Sequence, residues 1–321
     1  MKSHFNVQLY KNRKIVWLVS FSLCLTSIIG MLICLKSTSI KAPLNLGLDY
    51  TGGTQIILER SCNDDCITLD TSQIANNLNV LKNQDKRFNS NTSPNLIRSK
   101  IQLLDNSKLI SIRLPFLSAA QSDSVVAELN KSFGPFNNEN TSVDIIGPSL
   151  GKKLLKSSLI SLFFAFIGIA LYINFRYDRR YSFLALFALL HDILIVCGVF
   201  AWLGYFLNVE VDSLFAVSLL TIAGYSVNNT VVVFDRIREK SLVENELSFK
   251  CQIDEAVGVT LTRTIYTSLT TMLPLICILI WGGSTLYWFA FALLIGVIAG
   301  SWSSIALAPS LLSITRNKDF D

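Results

Sequence analysis

Hydrophobic and polar positions follow two different rhythms along this chain. On the long scale, six stretches stay apolar for most of their length, roughly residues 15–35, 157–175, 183–207, 214–234, 264–281 and 286–314. About 20 residues of helix match a hydrocarbon core of about 30 Å, so each stretch is predicted to cross a bilayer. On the short scale, the interval 36–156 switches between strand and helix periods. Residues 54–58 alternate as a strand, and 69–81 carry helical spacing with Asp70, Thr71 or Ser72 available as a cap. Residues 96–104 and 109–114 flank Asp105-Asn106-Ser107-Lys108, which has the chemistry of a hairpin turn. A second helix opens at Ser118 and closes at Gly134-Pro135, and 143–146 supply a last strand. Strand, helix, strand, strand, helix, strand is the order of the ferredoxin-like split βαβ motif.

The expected fold class is therefore a membrane α-helical bundle of six transmembrane helices with one extracytoplasmic α+β ferredoxin-like domain. The predicted divisions are a tail and first helix over 1–35, the soluble domain over 36–156, five spans over 157–314, and a tail over 315–321. Residues 36–43 and 147–153, rich in turn and polar residues, read as hinges on either side of the domain.

Composition agrees: 51% of residues are hydrophobic, 16% are charged, and mean hydropathy is +0.46. The first apolar run exceeds the core of a secretory signal, about 7–15 residues, and no small-x-small cleavage site follows it, so it reads as a retained anchor. Lys2, Lys11, Arg13 and Lys14 precede it. Arg176, Arg179 and Arg180 follow the second span, Arg236, Arg238 and Lys240 the fourth, and Arg316 and Lys318 the sixth. The short loops 208–213 and 282–285 carry no Lys or Arg. Basic residues mark the cytoplasmic side, which places both termini in the cytoplasm and 36–156 outside. The net charge of +5 is this bias and no basic patch for nucleic acid.

Cys24, Cys34, Cys197 and Cys277 fall in apolar spans and read as small buried hydrophobes. Cys251 falls in the cytoplasmic loop. Cys62 and Cys66 flank Asn63-Asp64-Asp65 on the oxidising side, where a disulfide is one reading and a metal site the other, the latter lacking a nearby His. No phosphate loop, HExxH or G-x-S-x-G is present, so no enzyme, cofactor or metal is expected, and energy must come from a partner or an ion gradient.

Polar groups inside the spans are few. His191 and Asp192 lie in the third, Asn228 and Asn229 in the fourth, and Arg263 at the cytoplasmic start of the fifth. Thr262, Thr264, Thr267, Ser268, Thr270 and Thr271 continue from Arg263, and Pro274 is expected to kink that helix. Amides and hydroxyls can simply clamp helices together, and Asp192 can neutralise Arg263; ionisable groups at depth are also default candidates for function. Gly296 and Gly300 form a GxxxG packing face.

Four motifs then carry a resemblance: Gly47-Leu48-Asp49-Tyr50-Thr51-Gly52-Gly53-Thr54; Phe175-Arg176-Tyr177 with Leu189-Leu190-His191-Asp192; the run from Gly224 through Asn228-Asn229-Thr230 to Asp235, Arg236, Arg238 and Glu239; and Leu261-Thr262-Arg263-Thr264 followed by Thr267-Ser268. Together they resemble the SecF family, the small membrane subunits of the bacterial SecD–SecF protein-export accessory. The resemblance implies one six-helix half of a resistance-nodulation-division (RND) type bundle, with SecD supplying the pseudo-symmetric half. It implies a role in moving unfolded preproteins through the SecYEG translocon in the inner membrane, with SecA hydrolysing ATP and the proton-motive force adding drive. In the family pattern the fourth span carries Asn-Asp-Thr, whose acid is a candidate proton site; here Asn229 stands in its place, and an amide does not titrate. A proton carrier would then be an acid of SecD, or Asp192. Arg263 matches the family's basic position. The alternative reading is half of an RND-type exporter of small molecules or lipids, which would usually have two such halves in one chain; a second, an intramembrane enzyme using His191 and Asp192, lacks a nucleophile or metal ligands.

Overall fold

The computed structural model describes residues 9–38, 40–61, 69–84, 88, 96, 99–104, 108–137, 141–243 and 248–315. The elements run α1 (Leu9–Lys36), α2 (Leu48–Thr51), β1 (Gly53–Glu59), α3 (Thr71–Gln84), β2 (Lys100–Leu104), β3 (Leu109–Leu114), α4 (Ala119–Phe133), β4 (Ser142–Ile146), α5 (Pro148–Arg176), α6 (Arg179–Leu207), α7 (Ser213–Val243), α8 (Phe249–Trp281), α9 (Gly283–Trp302), a π-helical turn (Ser303–Leu307) and α10 (Ala308–Thr315). They divide into two compact units, 47–157 and the helical remainder.

In the 47–157 unit the sheet order is β2-β3-β1-β4 with every neighbouring pair antiparallel. That is the split βαβ arrangement expected from the pattern, because β3 inserts between β1 and β2. The alternation along β1 sends Ile56 and Leu58 inward, opposite Ile112 and Ile110 of β3. They pack with Ile74, Leu78, Val125 and Leu129 of the two helices. Asp70 caps α3, accepting the Ser72 hydroxyl at 2.6 Å, while Gln73 Oε1 accepts the Asp70 N–H at 3.3 Å. At α4 the Ser118 N–H donates to Gln121 Oε1 at 3.0 Å, as a capping box requires. The strand expected over 96–104 is realised only from Lys100.

The Gly-Gly pair explains the turn between α2 and β1. Gly52 has φ +69° and Gly53 φ +134°, which only glycine adopts without strain. A Cβ on Gly53 would meet Leu114 O at 2.7 Å, and one on Gly52 would meet Pro148 Cα at 2.9 Å. Gly151 comes equally close to the Tyr50 carbonyl, 3.0 Å from its own hypothetical Cβ. The first turn of α5 is thus seated on the glycine turn. This corrects the hinge expected over 147–153: from Pro148 onward the backbone is helix. Proline at the first helical position costs no hydrogen bond and starts the helix with the right φ.

Among the described residues, six helices are long and apolar enough to cross a membrane. Three are central and three peripheral. For α6, α7 and the last span, 56%, 56% and 61% of the apolar window is buried; for α1, α5 and α8 the shares are 22%, 0% and 17%. α1 lies along α6 through small residues: Gly198 faces Ser27 with no room for a Cβ, Cys34 Sγ donates to Ala201 O at 3.1 Å, and Trp202 Nε1 donates to Thr26 O at 3.0 Å. α8 continues through Pro274 to Trp281.

The last span departs from the single helix expected. Pro309 has no N–H to give the carbonyl of Ile305 and its ring crowds that turn. The chain widens there, with the Ala308 N–H reaching Ser303 O, five residues back. The loop after α6 is also fixed: Asn208 closes the helix with φ +55°, Asn45 Nδ2 donates to Asn208 O and Val209 O, each at 3.2 Å, and the Val211 N–H donates to Asn45 O at 2.8 Å.

Candidate functional site

The centre of the bundle is built around one carboxylate. α6 is buried along Ala185, Ala188, Leu189 and Val196, and the same face carries His191 and Asp192 into the interior. Asp192 is 0% exposed. Its Oδ1 lies 2.9 Å from His191 Nδ1, and its Oδ2 accepts the hydroxyls of Ser226 at 2.6 Å and Ser303 at 2.7 Å. Three elements therefore meet on one side chain: α6, α7 and the π turn.

Two features allow that meeting. Gly296 lets Ile222 of α7 sit directly against α9, and a Cβ on Gly300 would come within 3.2 Å of Ser226 Cβ and 3.6 Å of Asp192 Oδ2. The GxxxG face is thus a packing device, and its consequence is chemical. The π turn, set by Pro309, begins at Ser303 and includes Ser304, both fully buried. A second polar thread runs alongside: Tyr225 Oη donates to Ser268 Oγ at 2.9 Å, Ser268 and Ser301 hydroxyls are 2.6 Å apart, and Ser301 donates to Val297 O at 2.6 Å. Thr260, Thr264 and Ser268 are buried on α8 and bond back to their own helix, as hydroxyls in spans do. His191 Nε2 and Asn229 Nδ2 are buried with no hydrogen-bond partner among the described residues.

The other sequence-derived candidates are dispersed. Asn229 is buried, while Asn228 lies exposed one position earlier on α7. Arg263 is exposed and lines an open groove of about 450 Å³ with Val232, Asp235, Arg236, Glu239, Val259 and Thr260. The neutralising pair that Asp192 and Arg263 could have formed is not made: Asp192 faces the α6–α7–π-turn junction, and Arg263 faces the groove. At that end Arg236 pairs with Glu239 at 2.6 Å, Arg176 with Asp235 at 3.8 Å and Lys240 with Glu255 at 2.7 Å. Arg238 is exposed. Burial, with a hydrogen bond to Asp235, pushes the Tyr177 phenol well above its ordinary value. Gly47, Asp49, Gly52 and Gly53 belong to the 47–157 unit and serve its turn. Cys62 and Cys66 lie outside the described residues.

The sequence pattern points to Asp192 but not to its partners. Ser226 and Ser303 are ordinary residues in their spans; the one signal is Pro309, shortly after the run Ser301-Trp302-Ser303-Ser304.

Comparison with known proteins gives a consistent set of likenesses. Residues 125–318 match the family described as protein export membrane protein SecD/SecF, C-terminal, and residues 39–63 match the SecD/SecF GG motif. The chain is 52% identical over 316 residues to the protein translocase subunit SecF of Prochlorococcus marinus, covering 98% of this chain and 97% of that one. It is 39% identical to the SecF of Synechocystis, covering 95% and 93%. Among solved structures, it resembles SecDF of Thermus thermophilus, described as a translocon-associated membrane protein, with a TM-score of 0.80 at 25% identity. That match covers 98% of this chain and 39% of the longer SecDF chain.

Proposed function

Because this chain belongs to the SecD/SecF family of protein-export membrane proteins, and to its SecF subunits, we propose that it works with SecD to promote preprotein translocation through SecYEG, using the proton-motive force. It is a multi-pass membrane protein and a translocase subunit by family. In this reading SecA supplies ATP hydrolysis at the cytoplasmic face. The bundle sits in the bacterial inner membrane among its lipids, with both termini cytoplasmic and the 47–157 unit outside, as the basic flanks require. The unit outside meets unfolded substrate; the bundle supplies the drive.

One observation carries the reading: the helical unit has a finished interior and an unfinished side. Along α7, Val217, Thr221, Gly224 and Asn228 recur at steps of four, three and four, a single face, and all four are exposed. Gly224 has nothing near where its Cβ would be. On α8, Arg263, Tyr266, Thr267 and Thr270 are exposed as well. Small and polar residues at mid-span suit a helix–helix interface far better than lipid. A guanidinium in hydrocarbon costs a few kcal/mol on insertion scales. A second bundle half answers both, and the Thermus SecDF chain, of which this chain spans 39%, has room for one.

The test is reconstitution. A strain lacking its own small subunit should regain preprotein export when given this chain together with its SecD partner, and imposing a proton gradient on vesicles should accelerate export. Export restored equally by the chain without SecD would refute the shared-bundle reading.

A further inference from the structure

Resting on the proton-driven reading above, we propose that His191 and Asp192 form the proton-binding site of this bundle, with Ser303 of the π turn sensing whether the proton is bound. The fourth span carries the amides Asn228 and Asn229 and no acid before Asp235, and Asp192 is the fully buried carboxylate among the described residues of the spans. A buried charge is costly unless hydrogen bonds answer it, and here three partners are in place: one imidazole nitrogen and two hydroxyls.

The geometry accommodates one proton more or fewer while the His191–Asp192 hydrogen bond persists. In the ionised state His191 is neutral, its Nδ1–H donating across 2.9 Å to Oδ1. Its Nε2 is then a lone pair, buried and without a partner among the described residues. A proton arriving at Nε2 lets Nδ1 release its own proton to Oδ1. The product is a neutral imidazole carrying Nε2–H and a neutral carboxyl whose Oδ1–H donates back to Nδ1. The pair has gained one proton and lost one negative charge, and no other group has changed. Ser226 donates to Oδ2 in both states.

Ser303 does not have to. Its hydroxyl has a second acceptor, Gly300 O at 3.2 Å, besides Asp192 Oδ2 at 2.7 Å. A hydroxyl has one proton to give, so the two acceptors compete. A carboxylate attracts it more strongly than a neutral carboxyl does. Loss of the charge therefore weakens the hold of α6 on the π turn, the element whose hydrogen-bond register Pro309 has already loosened.

Few other charges face the site. From α1, Cys24 is within electrostatic reach of Asp192. α7 presents Ser226, Asn229 and Thr230, none ionisable, and its charges begin at Asp235. The π turn and α10 present only hydroxyls and apolar groups. α8 turns Arg263 into the groove, and Arg179 and Arg180 stand at the N-terminal end of α6, more than three turns from Asp192.

The experiment uses the full chain with its SecD partner in lipid nanodiscs, recording infrared difference spectra between alkaline and mildly acidic buffer. A protonated-carboxyl carbonyl band should appear on acidification and vanish in Asp192→Asn. In Ser303→Ala that band should keep its frequency, because Ser303 has left Oδ2 in the protonated state, while the carboxylate band lost on acidification should shift; a clamp that donates to Oδ2 in both states would move both bands. Asp192→Glu, in case Asp192→Asn assembles poorly, should keep a band. In vesicles, Asp192→Asn at normal membrane level should lose the gradient-dependent part of export and keep the ATP-driven part. A band unchanged in Asp192→Asn, or full gradient stimulation in that variant, overturns the proposal while leaving the proton-driven reading intact. Absence of gradient stimulation in the unmodified protein defeats that reading instead, and the infrared result then decides the proton site alone.

Discussion

At the scale of single residues, the positions that matter most are those where backbone approaches backbone. Gly300 admits Ser226 to Asp192, so Gly300→Val should separate α7 from α9 and lower the thermal stability of the purified complex. By contrast, Asn229→Leu should cost little, because the amide nitrogen of Asn229 has no partner among the described residues and leucine keeps the same branched shape without a polar group to satisfy. Thermal scans of the two variants side by side check this; equal losses would show that Asn229 makes a bond of its own. Gly53→Ala places a Cβ 2.7 Å from Leu114 O at a φ of +134°. Strain of this kind costs about 1–3 kcal/mol, and the 47–157 unit should become more sensitive to limited proteolysis. Asp70 adds a dependence on pH. The Ser72 hydroxyl holds its carboxyl below the ordinary value, so its stabilising contribution is present above the unfolded value and is lost as pH falls through the folded one. Asp70→Asn should flatten the acid limb of that unit's proteolysis profile.

At the scale of elements, two helices differ from what periodicity alone predicts, each because of a proline. Pro148 begins α5 and makes the tether after β4 helical. Pro309 splits the last span and positions Ser303. Pro309→Ala should let the turn relax toward regular helix, taking Ser303 away from Asp192. If so, the losses of gradient-driven export in Pro309→Ala and Ser303→Ala should not add in the double variant, since both remove one hydrogen bond. Fully additive losses would separate the π turn from the carboxylate.

At the scale of the whole molecule, the open faces of α7 and α8 govern behaviour. Expressed without SecD, the chain should accumulate poorly and be degraded, because Asn228, Thr221 and Arg263 would meet lipid. Co-expression should raise both its abundance and its protease resistance, measured by immunoblot after protease addition to membranes. The 47–157 unit needs no partner for its core, which closes on itself around Ile56, Leu58, Ile110 and Ile112.

The sequence alone determined the elements that follow from local periodicity and length. Six apolar runs became six long helices, and the strand–helix order of 54–146 became the sheet order β2-β3-β1-β4. Those signals are repeated over many residues, so no single exception removes them. It also singled out Asp192, since a carboxylate within an apolar run is conspicuous by chemistry. Only the tertiary structure decided what Asp192 touches. Ser226 and Ser303 stand 34 and 111 residues away, and a serine in a span looks the same whether it bonds its own helix or another. The pairing with Arg263 that the sequence left open is not made, for the same reason: both residues were visible, but the side of its helix each occupies depends on how α6, α7, α8 and α9 pack. Helix faces are fixed by packing among distant segments, and the glycines that allow that packing reveal their neighbours only in three dimensions.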